Sequence, residues 1–208
     1  MTSMSILNPA YRRDNLAPFY VLDDIFTHEE LDRILAYCKE AGTEKAVVAQ
    51  PQGTPVMNEK MRRSDVLMHR VSRSNKWIFD RVVEAFDMAN RDCYNFDLDG
   101  FDIFQYSEYN NPGAHYEYHM DVSFASVSDP FIIGRKLSLS VMLNDESEFT
   151  GGEFQMLIDS HTIEKPITVP HKRGRFVFFP AFIVHRVAPV LSGSRKSLVF
   201  WALGPKFR

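Results

Sequence analysis

The sequence predicts a mainly β protein with flanking α structure: a sandwich or jelly roll of short strands behind two N-terminal helices. Three observations lead there. Beyond residue 100, short runs of alternating or aromatic-rich residues recur, broken by Gly, Ser, Pro and Asn. Before them, two stretches carry apolar residues at helical spacing. Aromatic residues make up 13% of the chain, 17 of them Phe, which suits pleated surfaces on which rings pack well.

Pro18 to Leu22 reads as a short strand. Thr27 then opens a helix, forming a capping box with Glu30. Leu31, Ile34, Leu35 and Cys38 give the helix one apolar face, and Gly42 stops it. Residues 44–64 contain Gln50-Pro51-Gln52-Gly53-Thr54-Pro55 and end in the basic stretch Lys60-Met61-Arg62-Arg63. A loop of this length is either a lid over a site or a surface excursion. Ser72 or Ser74 is the expected cap of a second helix. Its apolar face, Trp77, Ile78, Val82, Val83, Phe86 and Met88, reads as core.

The expected strands are Phe101–Tyr106, Tyr116–Phe124, Lys136–Leu143, Glu153–Ile158, Arg175–Phe179, Ala181–Val187 and Arg195–Leu203. The third is a clean alternation. Leu137, Leu139, Val141 and Leu143 face one way, Ser138, Ser140 and Met142 the other. Gly151-Gly152 is a turn, with geometry rather than chemistry as its role. No repeat or linker interrupts the chain. The expectation is one domain over residues 1–208, a helical flank at about 16–92 and a β core at about 100–206.

Composition narrows the function classes. The net charge of -3 and the lack of a sustained basic face count against nucleic acid as a partner. Two cysteines make no disulfide framework. Met1 to Asn15 lacks the apolar core of a signal peptide, and no run is long enough for a membrane span, so no membrane role is expected. These readings place the protein in the cytoplasm. No feature specifies an oligomer.

The chemistry is carried by His119-Met120-Asp121. On a strand, residues two apart share a face, so an imidazole and a carboxylate can grip one metal from one side. A second imidazole, His185, lies in the apolar run Phe179 to Val187. Alone, each is weak evidence, since a histidine on an apolar strand is usually core. Two His and one carboxylate form the facial triad of non-haem Fe(II) oxygenases, with three coordination positions open: two for a chelating keto acid, one for dioxygen. Arg195 stands ten residues after His185, across Leu191-Ser192-Gly193-Ser194. A hairpin there puts it on the neighbouring strand, its planar fork suited to a carboxylate in the same cavity. His115, His161 and His171 are expected at the surface.

Six stretches carry a family likeness. They are Tyr106 to Tyr109, Tyr116 to Asp121, Arg135 to Ser140, Thr150 to Glu153, Phe179 to Pro189 and Gly193 to Trp201. With them the chain resembles, from about Phe19 to Phe207, the Fe(II)/2-oxoglutarate oxygenases of the prolyl 4-hydroxylase superfamily, in particular its small single-domain bacterial and phage members. The resemblance implies a double-stranded β-helix, a cupin-like jelly roll with the helices packed on one sheet. It implies Fe(II) on His119, Asp121 and His185, with 2-oxoglutarate and O2 as cosubstrates. Arg195 would pair with the 5-carboxylate. Tyr109, with Tyr106 as the fallback, would lie near the iron-bound end, and Ser197 would contact the cosubstrate. Trp201, Tyr116 and Met142 are assigned to the substrate pocket. Met142 is a departure, since many members carry a tyrosine there. Either Ser140 or another hydroxyl replaces it, or Arg195 acts almost alone.

The implied reaction is hydroxylation of an unactivated C–H bond coupled to release of succinate and carbon dioxide. The expected substrate is a prolyl residue of a peptide or protein. A free amino acid or small metabolite is the alternative. Nucleic-acid demethylation and a non-catalytic jelly-roll binding module rank below both, the latter because a pure binder has no need of an open metal site. Asp121 argues against a halogenase, in which that carboxylate is replaced.

Overall fold

The structure, a computed structural model, describes residues 17–48, 56–101, 103–123, 134–159 and 163–205. In chain order its elements begin with β1 (Tyr20–Leu22), α1 (His28–Ala41), β2 (Glu44–Lys45), β3 (Arg62–Arg63), β4 (Asp65–Arg70) and α2 (Lys76–Ala89). The β region follows with β5 (Ile103–Tyr109), β6 (His115–His119), β7 (Arg135–Met142), β8 (Phe149–Gly151) and β9 (Phe154–Leu157). It ends with β10 (Ile167–Val169), β11 (Phe176–Pro180), β12 (Val184–Val187), β13 (Val190–Gly193) and β14 (Arg195–Leu203).

A seven-stranded sheet, β1-β11-β7-β14-β5-β4-β2, faces a five-stranded sheet, β10-β9-β12-β6-β3. β13 and β8 form a separate two-stranded ribbon. This is the expected jelly roll. The seven-stranded sheet has two different faces because side chains alternate along a strand. Leu137, Leu139 and Val141 of β7, Leu198 and Phe200 of β14, Phe104 and Tyr106 of β5, and Phe176 and Phe178 of β11 pack outward against α1 and α2. Their inward neighbours, Tyr109, Met142, Val177 and Phe179, meet Phe154, Met156, Val169 and Val187 between the sheets.

Both helices form where their spacing places them. Thr27 and Glu30 make the reciprocal capping box, and Leu31, Ile34 and Cys38 are buried. Burial pushes the Cys38 thiol up to about 12, the behaviour of an inert core cysteine. The cap of α2 differs from expectation. Its N-cap is Asn75, not Ser72 or Ser74, and its side chain turns back to accept from the Ser72 N–H and donate to the Arg70 carbonyl. Val83 and Met88 fall on its exposed side, while Phe79, Ala85 and Ala89 complete the buried one.

Three strand expectations need correction. The strand carrying His119 ends at His119, so Asp121 lies in the bend beyond it. The segment before His185 opens with a turn, and pairing resumes only at Val184. Leu191 to Gly193 is strand rather than turn, paired with β8. Arg195 is therefore not the hairpin neighbour of His185. It stands on the opposite sheet, between β5 and β7. Of the 44–64 segment, residues 49–55 lie outside the described residues. Its ends form an isolated Val48–Val56 bridge and β3, which pairs with β6.

A candidate metal centre between the sheets

Strand register assembles the centre. β12 pairs with β6 so that His185 stands opposite His119. Their rings lie 4.3 Å apart, centroid to centroid. Asp121 reaches them from the bend because its N–H and that of Val122 both donate to the Ala181 carbonyl, at 2.9 and 3.2 Å. The turn after β11 thus does the positioning that a continuous strand was expected to do. One ligand atom from each of the three residues lies within 4.8 Å of the others.

Hydrogen bonds orient each group. Nδ1–H of His119 donates to the Glu117 carbonyl at 2.7 Å, and Nδ1–H of His185 to the Ile183 carbonyl at 2.9 Å. A carbonyl only accepts, so the proton sits on Nδ1 and the Nε2 lone pair is free. The two Nε2 atoms face opposite oxygens of Asp121, each at 3.8 Å. That is too far for a hydrogen bond and leaves room for a cation. Ser138 donates to Asp121 Oδ2 at 2.6 Å, and Arg135 to the Asp121 carbonyl at 3.2 Å. Burial, with His185 next, pushes the His119 imidazole down to about 3, so it is neutral, as a metal ligand must be. Burial alone would raise Asp121. The neighbouring imidazoles, the Arg135 guanidinium and the Ser138 hydroxyl together outweigh it and hold the carboxyl below its usual range.

The centre opens into a cavity of about 530 Å³ between the sheets. On its far wall Arg195 is 1% exposed. Nη1 donates to Ser197 Oγ at 3.2 Å, and the guanidinium lies 5.5 Å from the Tyr109 ring centroid. Nε and Nη2 are buried without a partner. Burial pushes this guanidinium down from its ordinary range. An unpaired buried cation is costly, and the missing partner is an acceptor, preferably an anion. Gly152 makes the room. A Cβ there would stand 3.0 Å from Arg195 Cδ, and its φ of +69° suits glycine.

Tyr109, Tyr116, Ser197 and Trp201 line this cavity with the three candidate ligands and Arg195. Tyr116 stacks on the His119 ring at 3.5 Å. Two expected residues are elsewhere. Tyr106 points to the helix side of β5, where its hydroxyl donates to Glu108, because it is an odd number of residues from Tyr109. Met142 packs in the inter-sheet core. Ser140, two residues earlier, is on the wall instead. His115 and His171 are part-buried and bonded to the backbone carbonyls of Gly113 and Lys60, and of Asn144, rather than at the surface. His161 lies outside the described residues. Ser138, Arg135 and Arg62 belong to the site without having been singled out. The signal for Ser138 was available: a small hydroxyl on the inward face of a buried strand.

The chain also resembles known proteins. Residues 104–203 match the model of the 2OG-Fe(II) oxygenase superfamily. A PKHD-type hydroxylase of Janthinobacterium sp. (strain Marseille) is 34% identical over 90 residues, 43% of this chain and 38% of that protein. One of Parvibaculum lavamentivorans is 33% identical over 92 residues, with the same coverage. This chain thus matches well under half the length of these curated relatives. Among solved structures, a Pseudomonas putida prolyl-4-hydroxylase superposes with a TM-score of 0.68 at 18% identity, covering 92% of this chain and 96% of that one. A Trichoplax adhaerens prolyl hydroxylase, in complex with a hypoxia inducible factor oxygen degradation domain peptide fragment, gives 0.71 at 15%, covering 91% and 84%. A viral collagen prolyl hydroxylase from Paramecium Bursaria Chlorella virus-1, as its 2OG complex, gives 0.66 at 19%, covering 93% and 100%. The segment from β5 to β14, just under half of the chain, thus resembles the 2OG-Fe(II) oxygenase superfamily, and the fold is the jelly roll of these solved structures.

Proposed function

We propose that this protein is an Fe(II)- and 2-oxoglutarate-dependent dioxygenase that hydroxylates an unactivated C–H bond with release of succinate and carbon dioxide. Its proposed substrate is a prolyl residue of a peptide or protein. One observation carries the reading. Two imidazole lone pairs and a carboxylate converge in the same cavity as a buried guanidinium with unpartnered nitrogens. Two neutral nitrogens and one carboxylate oxygen suit Fe(II), and a dicarboxylic keto acid has one end for the metal and one for Arg195. Bound there, Fe(II) with 2-oxoglutarate supplies the oxidising power that no side chain has.

The chain's residues bind, orient and exclude water. His119, Asp121 and His185 hold the ion, their rotations fixed by the Glu117 and Ile183 carbonyls and by Ser138. Arg195, steadied by Ser197 and Tyr109, takes the distant carboxylate. Val48, Met61, Met68, Phe154 and Phe179 give the cavity an apolar wall. The prolyl substrate is supported by what the structural neighbours act on. A free amino acid is the second reading, favoured by a further arginine, Arg62, in the wall. No described helix is long and apolar enough to cross a membrane. The cytoplasm is the proposed compartment, supported by the unpaired Cys38 and Cys93.

The test is spectroscopic, without oxygen. Adding Fe(II) and then 2-oxoglutarate gives a weak visible metal-to-ligand charge-transfer band. His185→Ala removes it, and Arg195→Ala raises the 2-oxoglutarate concentration required. Folded wild-type protein that binds no iron and shows no band would overturn the reading.

A further inference from the structure

The cavity wall holds a second buried arginine that the proposed chemistry leaves unused. Arg62, on β3, is 6% exposed. Its Nε donates to Ser64 Oγ at 2.9 Å. Nη1 and Nη2 reach only Gln105 Oε1 at 3.5 Å and Ser107 Oγ at 3.4 Å, both longer than an ordinary N–H···O bond. The guanidinium lies 4.4 Å from the Tyr116 ring centroid, and Tyr116 in turn stacks on His119. Every one of these partners is neutral. Among the described residues no carboxylate is paired with Arg62. A cation this buried without a counter-ion is costly, and loosely held nitrogens are its available donors. Under the reading above, charge at the centre closes without it: a divalent ion, Asp121, Arg195 and a dianionic keto acid cancel. Arg62 is left over.

We propose that Arg62 is a specificity-determining residue that receives a carboxylate of the primary substrate, so that the substrate is an anion. The inference rests on the dioxygenase reading, because it assigns the other charges to metal and cosubstrate. Arg62 is one aromatic ring away from a candidate metal ligand, and Val47, Val48 and Met61 line the same cavity. A carboxylate there replaces two long contacts to neutral oxygens with charge-assisted bonds to a planar fork. It has two possible sources: an acidic side chain beside the target residue of a peptide, or the α-carboxylate of a free amino acid. An Arg62 that merely straps β3 to β5 predicts no preference for an anion.

The test uses the full chain loaded anaerobically with Fe(II) and 2-oxoglutarate, whose visible band reports arrival of a substrate. Two probe pairs are titrated. One is the end-blocked peptide Ala-Pro-Asp against Ala-Pro-Asn, the other free L-proline against L-prolinamide. The carboxylate member of one pair should perturb the band at a concentration about ten-fold or more below its neutral partner. The pair that does so identifies the source. Arg62→Gln should erase the preference and Arg62→Lys retain part of it, each variant's preference being read against its own band before probe addition. Equal responses within both pairs, no response in either, or a preference that survives Arg62→Gln overturns the inference. If Arg62→Gln does not fold, as judged by circular dichroism, Arg62→Lys decides: a weakened preference supports the proposal and an unaltered one overturns it. Failure of the wild type to form the band at all is a separate signal, which overturns the dioxygenase reading and the inference with it.

Discussion

Ser138 shows how much a single hydroxyl contributes at this site. Its 2.6 Å bond occupies one oxygen of Asp121 and fixes the rotation of the carboxylate between two imidazoles. Removing a bond of this kind typically costs about 10- to 100-fold in metal affinity. Ser138→Ala should therefore weaken Fe(II) or Mn(II) binding by that order in a direct titration, with little change in melting temperature of the metal-free protein. Unchanged affinity would show that the backbone bonds to Ala181 suffice. At this scale the sequence was most legible where chemistry concentrates in a short pattern. His119, Asp121, His185 and Arg195 are recognisable because few other roles explain them together. Arg62 looks in sequence like part of a basic loop end, since nothing local reveals that its strand pairs with β6 and that it lines the cavity. The sequence leaves both Tyr106 and Tyr109 open, because the register of β5 is set by its neighbours β4 and β14.

Individual elements are pinned by contacts that can be removed one at a time. Thr27→Ala breaks the capping box of α1 and should cost about 1 kcal/mol in chemical denaturation, without affecting metal binding. β1 sits at the sheet edge, and the residue after it, Asp23, is tied to Arg175 at the start of β11 by two bonds of 2.9 Å. The Arg175 bonds hold the Asp23 carboxyl down to about 2. A depressed carboxyl stabilises the fold fully above its unfolded value of roughly 4 and loses that contribution as pH falls towards 2. Asp23→Asn should thus lower stability by about 1 kcal/mol at pH 7, allowing for partial exposure, and the gap to wild type should narrow as pH drops below roughly 4. A gap independent of pH would mean that the loss comes from packing. Alternation made β7 readable from its own residues. β13 was missed because Ser192 and Gly193 have turn composition, and only pairing with β8 makes them strand.

Across the whole molecule, the candidate metal ligands come from one sheet and its adjoining bend, and Arg195, the proposed carboxylate partner, from the other. Ligands that bind only the folded chain stabilise it by mass action, by roughly 2.7 kcal/mol at 100 times Kd. For a chain of this size that corresponds to a rise of about 5–10 °C in melting temperature. Mn(II) should give one such increment in a thermal shift assay, and 2-oxoglutarate a second that requires the metal. Arg195→Ala should abolish the second and leave the first. A 2-oxoglutarate shift that survives this substitution would place the dicarboxylate elsewhere. The sandwich itself followed from strand count and turn chemistry. The division of strands between sheets did not, because it depends on pairings between residues far apart in the chain, such as Tyr20 with Phe178, 158 positions on.

The two-faced strands β5, β7 and β14 have a consequence for how such a protein can change over time. Even-numbered residues of β14, Leu198, Phe200 and Ala202, anchor the helices, while odd-numbered Arg195, Ser197, Val199 and Trp201 look into the cavity. Scaffold and chemistry therefore occupy interleaved positions of one strand and are nearly separable under mutation. Random substitution at Gln105, Ser140 and Val199 should leave most library members soluble while scattering their substrate preferences. The same load placed at Phe104, Leu139 and Phe200 should yield mostly unfolded chains.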